Sequence, residues 1–325
     1  MRRSVRNVAL ICAAGLALGL SGCGESSTPE KKAEAEAPAA TTDAAAPADA
    51  AKSATPDATL TQLWELDGLS TPESALPDKA ANIMYVSNVA GGPMDKDGNG
   101  FISKVTFDGK IDTLEWVKGL NAPKGLAQAK GKLYAADIDQ LVEIDIAKGE
   151  VTARYDAAGG KFLNDAAADS EGRIYVSDML TNTIWRLDGG KFEKWVEDPA
   201  LISPNGLLVQ GDKLLVGGWG VMTDGFATKV PGHMLQVSLA DKKISALGDA
   251  TPVGNLDGLE PEGNGKYLVT DWMAGKLYRI DASGKSETLL QDLGQGSADI
   301  GYDPDTKTLY IPLMNQNKLR AYKVN

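Results

Sequence analysis

One segment recurs six times along this chain, and recurrence of that kind leaves few folds open. Each copy is a short apolar run that follows a polar turn. The copies are Ile83-Met84-Tyr85-Val86-Ser87-Asn88, Lys132-Leu133-Tyr134-Ala135-Ala136-Asp137, Arg173-Ile174-Tyr175-Val176-Ser177-Asp178, Lys213-Leu214-Leu215-Val216-Gly217-Gly218, Tyr267-Leu268-Val269-Thr270-Asp271 and Thr308-Leu309-Tyr310-Ile311-Pro312. With Tyr85, Tyr134, Tyr175, Leu215, Leu268 and Tyr310 as anchors, the spacings are 49, 41, 40, 53 and 42 residues. A second strand with alternating polarity follows each anchor, for example 102–107 and 276–280. Polar turns such as Asp108-Gly109-Lys110 and Ser283-Gly284-Lys285 then lead to a third strand, for example 111–117 or 192–196. Four strands at such a period describe a β-propeller. The 266 residues from Leu60 to Asn325 allow about 44 per blade for six blades, whereas seven would need unusually short ones.

The sixth copy runs out of chain before its outer strand. The N-terminal stretch Trp64-Glu65-Leu66-Asp67-Gly68-Leu69-Ser70-Thr71-Pro72-Glu73 parallels Trp116-Val117-Lys118-Gly119-Leu120-Asn121-Ala122-Pro123-Lys124, which follows an outer strand. Residues 60–66 are therefore expected to complete the last blade and remove an open sheet edge. The expectation is an all-β, six-bladed propeller whose N-terminal strand closes the last blade.

Ten to twelve residues before each anchor, the innermost strands begin with Glu73, Lys124, Asn164, Asn205, Asp257 and Asp299. All six are polar although each opens an apolar strand. Equivalent positions on inner strands converge at one mouth of the central channel. Crowded, buried carboxylates repel one another, and a hard divalent cation would resolve the conflict. Carboxylate and amide oxygens suit Ca²⁺ or Mg²⁺; a plain polar, water-filled channel is the other reading.

The chain begins with Arg2, Arg3 and Arg6 and an apolar run of 13 residues, 8–20, which is short for a membrane span. It ends in Leu20-Ser21-Gly22-Cys23, which resembles the lipobox of bacterial lipoproteins. That resemblance implies a signal peptide over 1–22, lipid on Cys23 and a periplasm-facing cell-envelope location. Gly24, rather than Asp, points to the outer membrane. Residues 23–59 are rich in Ala and Pro with almost no large apolar side chains, so they read as a disordered tether ahead of a folded 60–325. Cys12 and Cys23 are the two cysteines; the mature domain thus carries no disulfide, thiol nucleophile or thiolate metal site. A net charge of −11 disfavours nucleic acid and anionic lipid surfaces as partners, leaving the lipid anchor as the membrane contact. The expected partner is a small molecule and the expected state a monomer.

The ring also resembles that of the SMP-30/gluconolactonase/LRE family of regucalcin-like propellers. Pro72-Glu73-Ser74-Ala75-Leu76 matches the family's first-blade metal glutamate. Leu163-Asn164-Asp165, with Asp169-Ser170-Glu171-Gly172-Arg173, resembles its Asn-Asp segment. Ser203-Pro204-Asn205-Gly206-Leu207 matches its metal asparagine, and Leu256-Asp257-Gly258-Leu259 its metal aspartate. The resemblance implies a hydrolase of lactones or related esters. Glu73, Asn205 and Asp257 would hold the cation, Ca²⁺ first, with Mg²⁺, Mn²⁺ or Zn²⁺ as alternatives. Asp257 would act as general base and Asn164 would contact substrate. Lys124 and Asp299 are further substrate-contact candidates. Two positions depart from the family pattern: Phe162 stands where an Arg commonly holds sugar hydroxyls, and Lys124 lies outside the usual site. A non-catalytic propeller that binds a ligand or protein is the alternative.

Asp95-Lys96-Asp97-Gly98-Asn99-Gly100 resembles half of an EF-hand loop, but position 12 is Thr106, so a strand-connecting turn is the expectation. A single His, His233, excludes a His dyad, and it neighbours no nucleophile motif. The insertion 219–233 lengthens the fourth blade, and Trp219 and Trp272 are candidate rim aromatics.

Overall fold

A computed structural model describes residues 59–325. The leader, Cys23 and the tether as far as residue 58 lie outside the described residues. The described chain forms six four-stranded antiparallel sheets, with one additional two-stranded hairpin. Blades 1 to 5 start at their inner strands, Pro72–Asp78, Pro123–Ala129, Leu163–Ala168, Pro204–Gln210 and Leu256–Gly263. Blade 6 has the short inner strand Gly301–Asp303. The hairpin, Gly220–Asp224 with Ala227–Pro231, is inserted between the second and third strands of blade 4. Both helical segments among the described residues are single 3-10 turns.

The apolar character of the repeated strand follows from burial on both faces. Consecutive side chains of a strand point to opposite faces, and here each face meets a different blade. Tyr85 packs with Leu126, Leu133 and Val142 of blade 2, whereas its neighbours Met84 and Val86 pack with Tyr310, Leu319 and Ala321 of blade 6. The alternation repeats around the ring. Tyr134, Tyr175, Leu215, Leu268 and Tyr310 each face the next blade, while the flanking residues face the previous one. Six blades thus share six inter-blade cores, and the anchor marks one face of each.

The N-terminal strand Leu60–Asp67 pairs with Lys318–Val324 and completes blade 6, as expected. Its Trp64 lies 5.9 Å from the Tyr310 ring, as Trp116 lies 5.1 Å from Tyr85 and Trp195 5.0 Å from Tyr175. The indole N–H of Trp64 donates to Phe107 O at 3.0 Å, which fastens the closing strand to blade 1 as well. Glu65 adds ion pairs to Lys318 and Arg320.

Residues 95–99 belong to the connection between the second and third strands of blade 1. Asp95 accepts from Gly92 N at 3.1 Å, Asp97 accepts from Asn99 N at 3.0 Å, and Lys96 pairs with Asp139 at 2.5 Å.

Candidate active site

Each long inner strand carries a register break just after its first residue. Pro72 pairs with Asn88, but the next regular pair is Ala75 with Val86. The same two-residue interruption occurs after Pro123, Leu163, Pro204 and Leu256. A bulge re-aims side chains, and the first residue of each bulge is Glu73, Lys124, Asn164, Asn205 or Asp257. All five are buried. Side chains of the second strand hold the bulge. Ser87, Ser177 and Thr270 hydroxyls accept the N–H of Ser74, Asp165 and Gly258 at 2.9 Å. Asp137 and Asp178 accept the N–H groups of the residues that lead into their inner strands. Two of these entries carry left-handed backbone: Thr71 has φ 50°, and Ile202 and Ser203 have φ 49° and 59°. Such conformations cost free energy and cluster at functional sites; here they precede Glu73 and Asn205.

The sixth position requires a correction. Ser297 bridges to Leu313 as Pro72 pairs with Asn88, so the counterpart of Glu73 is Ala298. Asp299 falls one residue later, level with Ser74 and Asp165, and a one-residue step reverses the direction of a side chain. Asp299 therefore does not join the other five at the mouth. It lines a second cavity of about 310 Å³ further along the same strands, with Ser74, Asp165 and Glu260. There Ser74 donates its hydroxyl proton to Asp299 at 2.5 Å, and the Asp165 carboxylate accepts from Leu207 N at 2.5 Å and Ala166 N at 2.6 Å.

The remaining blades have glycine at this level because the inner strands nearly touch. A Cβ on Gly206 would sit 1.9 Å from Asp257 O, and one on Gly258 2.3 Å from Ile300 N. A Cβ on Gly125 would likewise sit 2.4 Å from Asp165 Cα.

The mouth holds a cavity of about 410 Å³ with Glu73, Lys124, Asn164 and Asp257 among its lining residues. Asn205 is fully buried and is not part of that lining. Its amide is close enough to Asp257 to offset part of a raised pKa, yet completes no hydrogen bond. Burial drives the Glu73 pKa well above the usual carboxylate range; Asp257 and Asp299 add to the rise and Lys124 opposes it. Burial likewise raises Asp257, with Asp299 the largest charge contribution. Burial lowers the Lys124 ammonium to about 8, against the pull of Glu73 and Asp137. Its Nζ donates to Ala122 O at 3.0 Å and lies 4.6 Å from the Phe162 ring centre.

Buried polar atoms without a partner are rare in folded chains. Among the side chains of the described residues there are seven such nitrogen and oxygen atoms, and five belong to this floor: Glu73 Oε2, Asn164 Oδ1, Asn205 Oδ1 and Nδ2, and Asp257 Oδ1. Four of the five are oxygens, two carboxylate and two amide. That donor set fits a hard divalent cation and offers nothing to a thiophilic one. Among the described residues no group of three or more His, Cys, Asp or Glu is placed to hold a metal; a set on this floor needs its amides. His233 does not line the cavity.

The rest of the lining was less legible in sequence. Trp219 and Trp272, candidate rim residues from sequence, do line the mouth. So do Phe162, Met179, Phe226 and Met314, which come from loops, from the blade 4 hairpin and from the 3-10 turn Met314–Gln316.

A search of curated proteins finds no match to this sequence. Solved structures do match. A gluconolactonase from Xanthomonas campestris shares 16% identity over 82% of this chain and 89% of its own, with a TM-score of 0.59. Regucalcin, a calcium-binding protein from Agrobacterium tumefaciens, shares 17% over 79% and 91%, with a TM-score of 0.57. A virginiamycin B lyase from Staphylococcus aureus shares 15% over 82% and 100%, with a TM-score of 0.54. At such identities the likeness is one of fold. Residues 102–311 also match the SMP-30/Gluconolactonase/LRE-like region, from the third strand of blade 1 to the second strand of blade 6, and the chain belongs to that family.

Proposed function

We propose that this chain hydrolyses lactones or related esters with the help of a divalent cation. Family membership and the gluconolactonase neighbour support the reaction class, and the calcium-binding neighbour supports the cation. The observation that carries the reading is the group of unpartnered oxygens on Glu73, Asn164, Asn205 and Asp257 beneath an open cavity. Glu73, Asn205 and Asp257 would hold the cation, calcium by preference. When bound, it supplies a fixed positive charge that polarises an ester carbonyl and favours deprotonated ligands. Asp257 takes the proton of the attacking water as the water oxygen bonds to the acyl carbon. It returns that proton to the alkoxide as the ester C–O bond breaks, leaving the hydroxy acid. Asn164 and Lys124 would orient the carbonyl. Asp299, on the next level of the channel, acts on Asp257 through charge rather than by touching substrate.

The test is a lactone and ester panel assayed after chelation and again with Ca²⁺, Mg²⁺, Mn²⁺ or Zn²⁺. Metal-dependent turnover that Asp257→Ala abolishes is the expected result; a folded chain inert with every metal would refute the reading. We also propose, from the leader sequence, a monomer anchored in the envelope by lipid on Cys23; Cys23→Ala should abolish incorporation of labelled palmitate.

A further inference from the structure

The walls of the mouth cavity differ in chemistry from its floor. Phe162, Met179, Trp219, Phe226, Trp272 and Met314 surround the polar base. Their rings are in mutual contact: Phe162–Phe226 at 5.3 Å, Trp219–Phe226 at 6.2 Å and Trp219–Trp272 at 6.1 Å between centroids. The N–H donors of these walls already have partners. Trp219 Nε1 donates to Phe226 O at 2.8 Å, Trp272 Nε1 to Met314 Sδ at 3.2 Å, and Asn315 Nδ2 to Gln295 O at 3.0 Å.

The rim continues in the same character. Met94, Leu180 and Met273 are exposed and directly follow the lining residues Pro93, Met179 and Trp272. Val221 and Val230 are exposed on the hairpin that carries Phe226. Five of the seven large exposed apolar side chains among the described residues therefore lie next in sequence to a lining residue or on the hairpin that carries one.

We infer that the cavity selects esters or lactones with an aromatic or bulky apolar body over polyhydroxylated ones. The inference deepens the hydrolase reading and rests on it. A hydroxyl brought against the rings and thioethers of these walls loses its water and meets no free N–H there, which weakens binding by about tenfold per hydroxyl. An aromatic or alkyl body instead meets ring edges, ring faces and two thioethers. Only the reacting carbonyl needs the floor.

The experiment compares kcat/KM of the full chain with calcium on three six-membered lactones: dihydrocoumarin, δ-decalactone and glucono-δ-lactone. Each value is divided by the rate of hydroxide-catalysed opening, which removes leaving-group reactivity. The normalised values for the two apolar lactones should exceed that for glucono-δ-lactone by at least about 100-fold, two unpaired hydroxyls' worth. An equal or reversed preference would overturn the inference. Phe226→Ser should raise KM for dihydrocoumarin about tenfold while holding kcat within about threefold; an unchanged KM also counts against it.

If no lactone turns over, the hydrolase reading fails and binding decides the ligand class separately. Trp219 and Trp272 then report by fluorescence on 3,4-dihydroquinolin-2-one and on gluconolactam, two non-hydrolysable analogues. Quenching by the aryl lactam alone supports the apolar preference; quenching by the sugar lactam, or by neither, overturns it.

Discussion

Gly206→Ala probes the link between blade packing and the site. Gly206 needs no left-handed backbone, so the substitution tests space alone. The new Cβ would lie 1.9 Å from Asp257 O, and ordinary contact begins at 3.4 Å, so the inner strands of blades 4 and 5 must separate by about 1.5 Å. The obstructing atom is backbone and cannot rotate away. Overpacking of this kind costs about 1–3 kcal/mol, or roughly 2–12 °C in melting temperature for a domain of this size. The displaced residue is the proposed base, and a misplacement of about 1 Å can cost on the order of 100-fold in rate. The assays are thermal unfolding, calcium affinity and lactone kcat/KM. Gly211→Ala is the control: nothing lies within 4 Å of its Cβ, and its φ of +61° makes the cost one of backbone strain alone. Both variants should melt lower, but only Gly206→Ala should lose activity and calcium affinity. A Gly206→Ala chain with wild-type melting and kcat/KM within about twofold would refute the packing argument.

Other outcomes follow from the same floor and ring. Glu73, Asp257 and Asp299 have raised folded pKa values, Asp299 at about 7, so the folded state holds protons that the unfolded state has released. Metal-free stability should therefore fall as pH rises from about 4 to 7, whereas the lowering of Lys124 from 10.5 to about 8 acts in the opposite sense and only between those values. Melts in chelator from pH 5 to 8 should show a declining melting temperature, with the stabilisation by millimolar calcium largest at pH 8; a flat profile would contradict the buried-charge account. Asp257→Asn should raise the metal-free melting temperature at pH 8, since it removes an uncompensated buried charge, and should abolish the calcium effect. Trp64→Ala and Trp116→Ala should each cost about 3 kcal/mol by thermal unfolding, the low end for a Trp because both half-buried rings pack on the anchor tyrosine of an equivalent blade.

The blade count and closure were readable because the repeated strand is buried on both faces, and the Tyr or Leu anchor recurs wherever one blade meets the next. Five of the six ring residues were readable because a polar side chain at the head of an apolar strand stands out. Asp299 misled because the strand heads lie anywhere from 10 to 12 residues before their anchors, so a polar residue 11 before Tyr310 stood out over Ala298 at 12, and spacing cannot reveal a bulge register. The aromatic walls were hidden for a different reason. Met179, Phe226 and Met314 sit in connections without periodicity, and only the closed ring brings blades 3, 4 and 6 to one mouth. Asp165 was visible as part of an Asn-Asp pair, but its grip on Leu207 N across a blade boundary needed coordinates.

Calorimetric titration of calcium into the chelator-treated full chain tests the proposed cation floor most directly. One ion should bind per chain, with protons released on binding, and Asp257→Ala and Asn205→Ala should each remove the heat. No binding heat in the folded wild-type chain, or binding that survives both substitutions, would contradict the account.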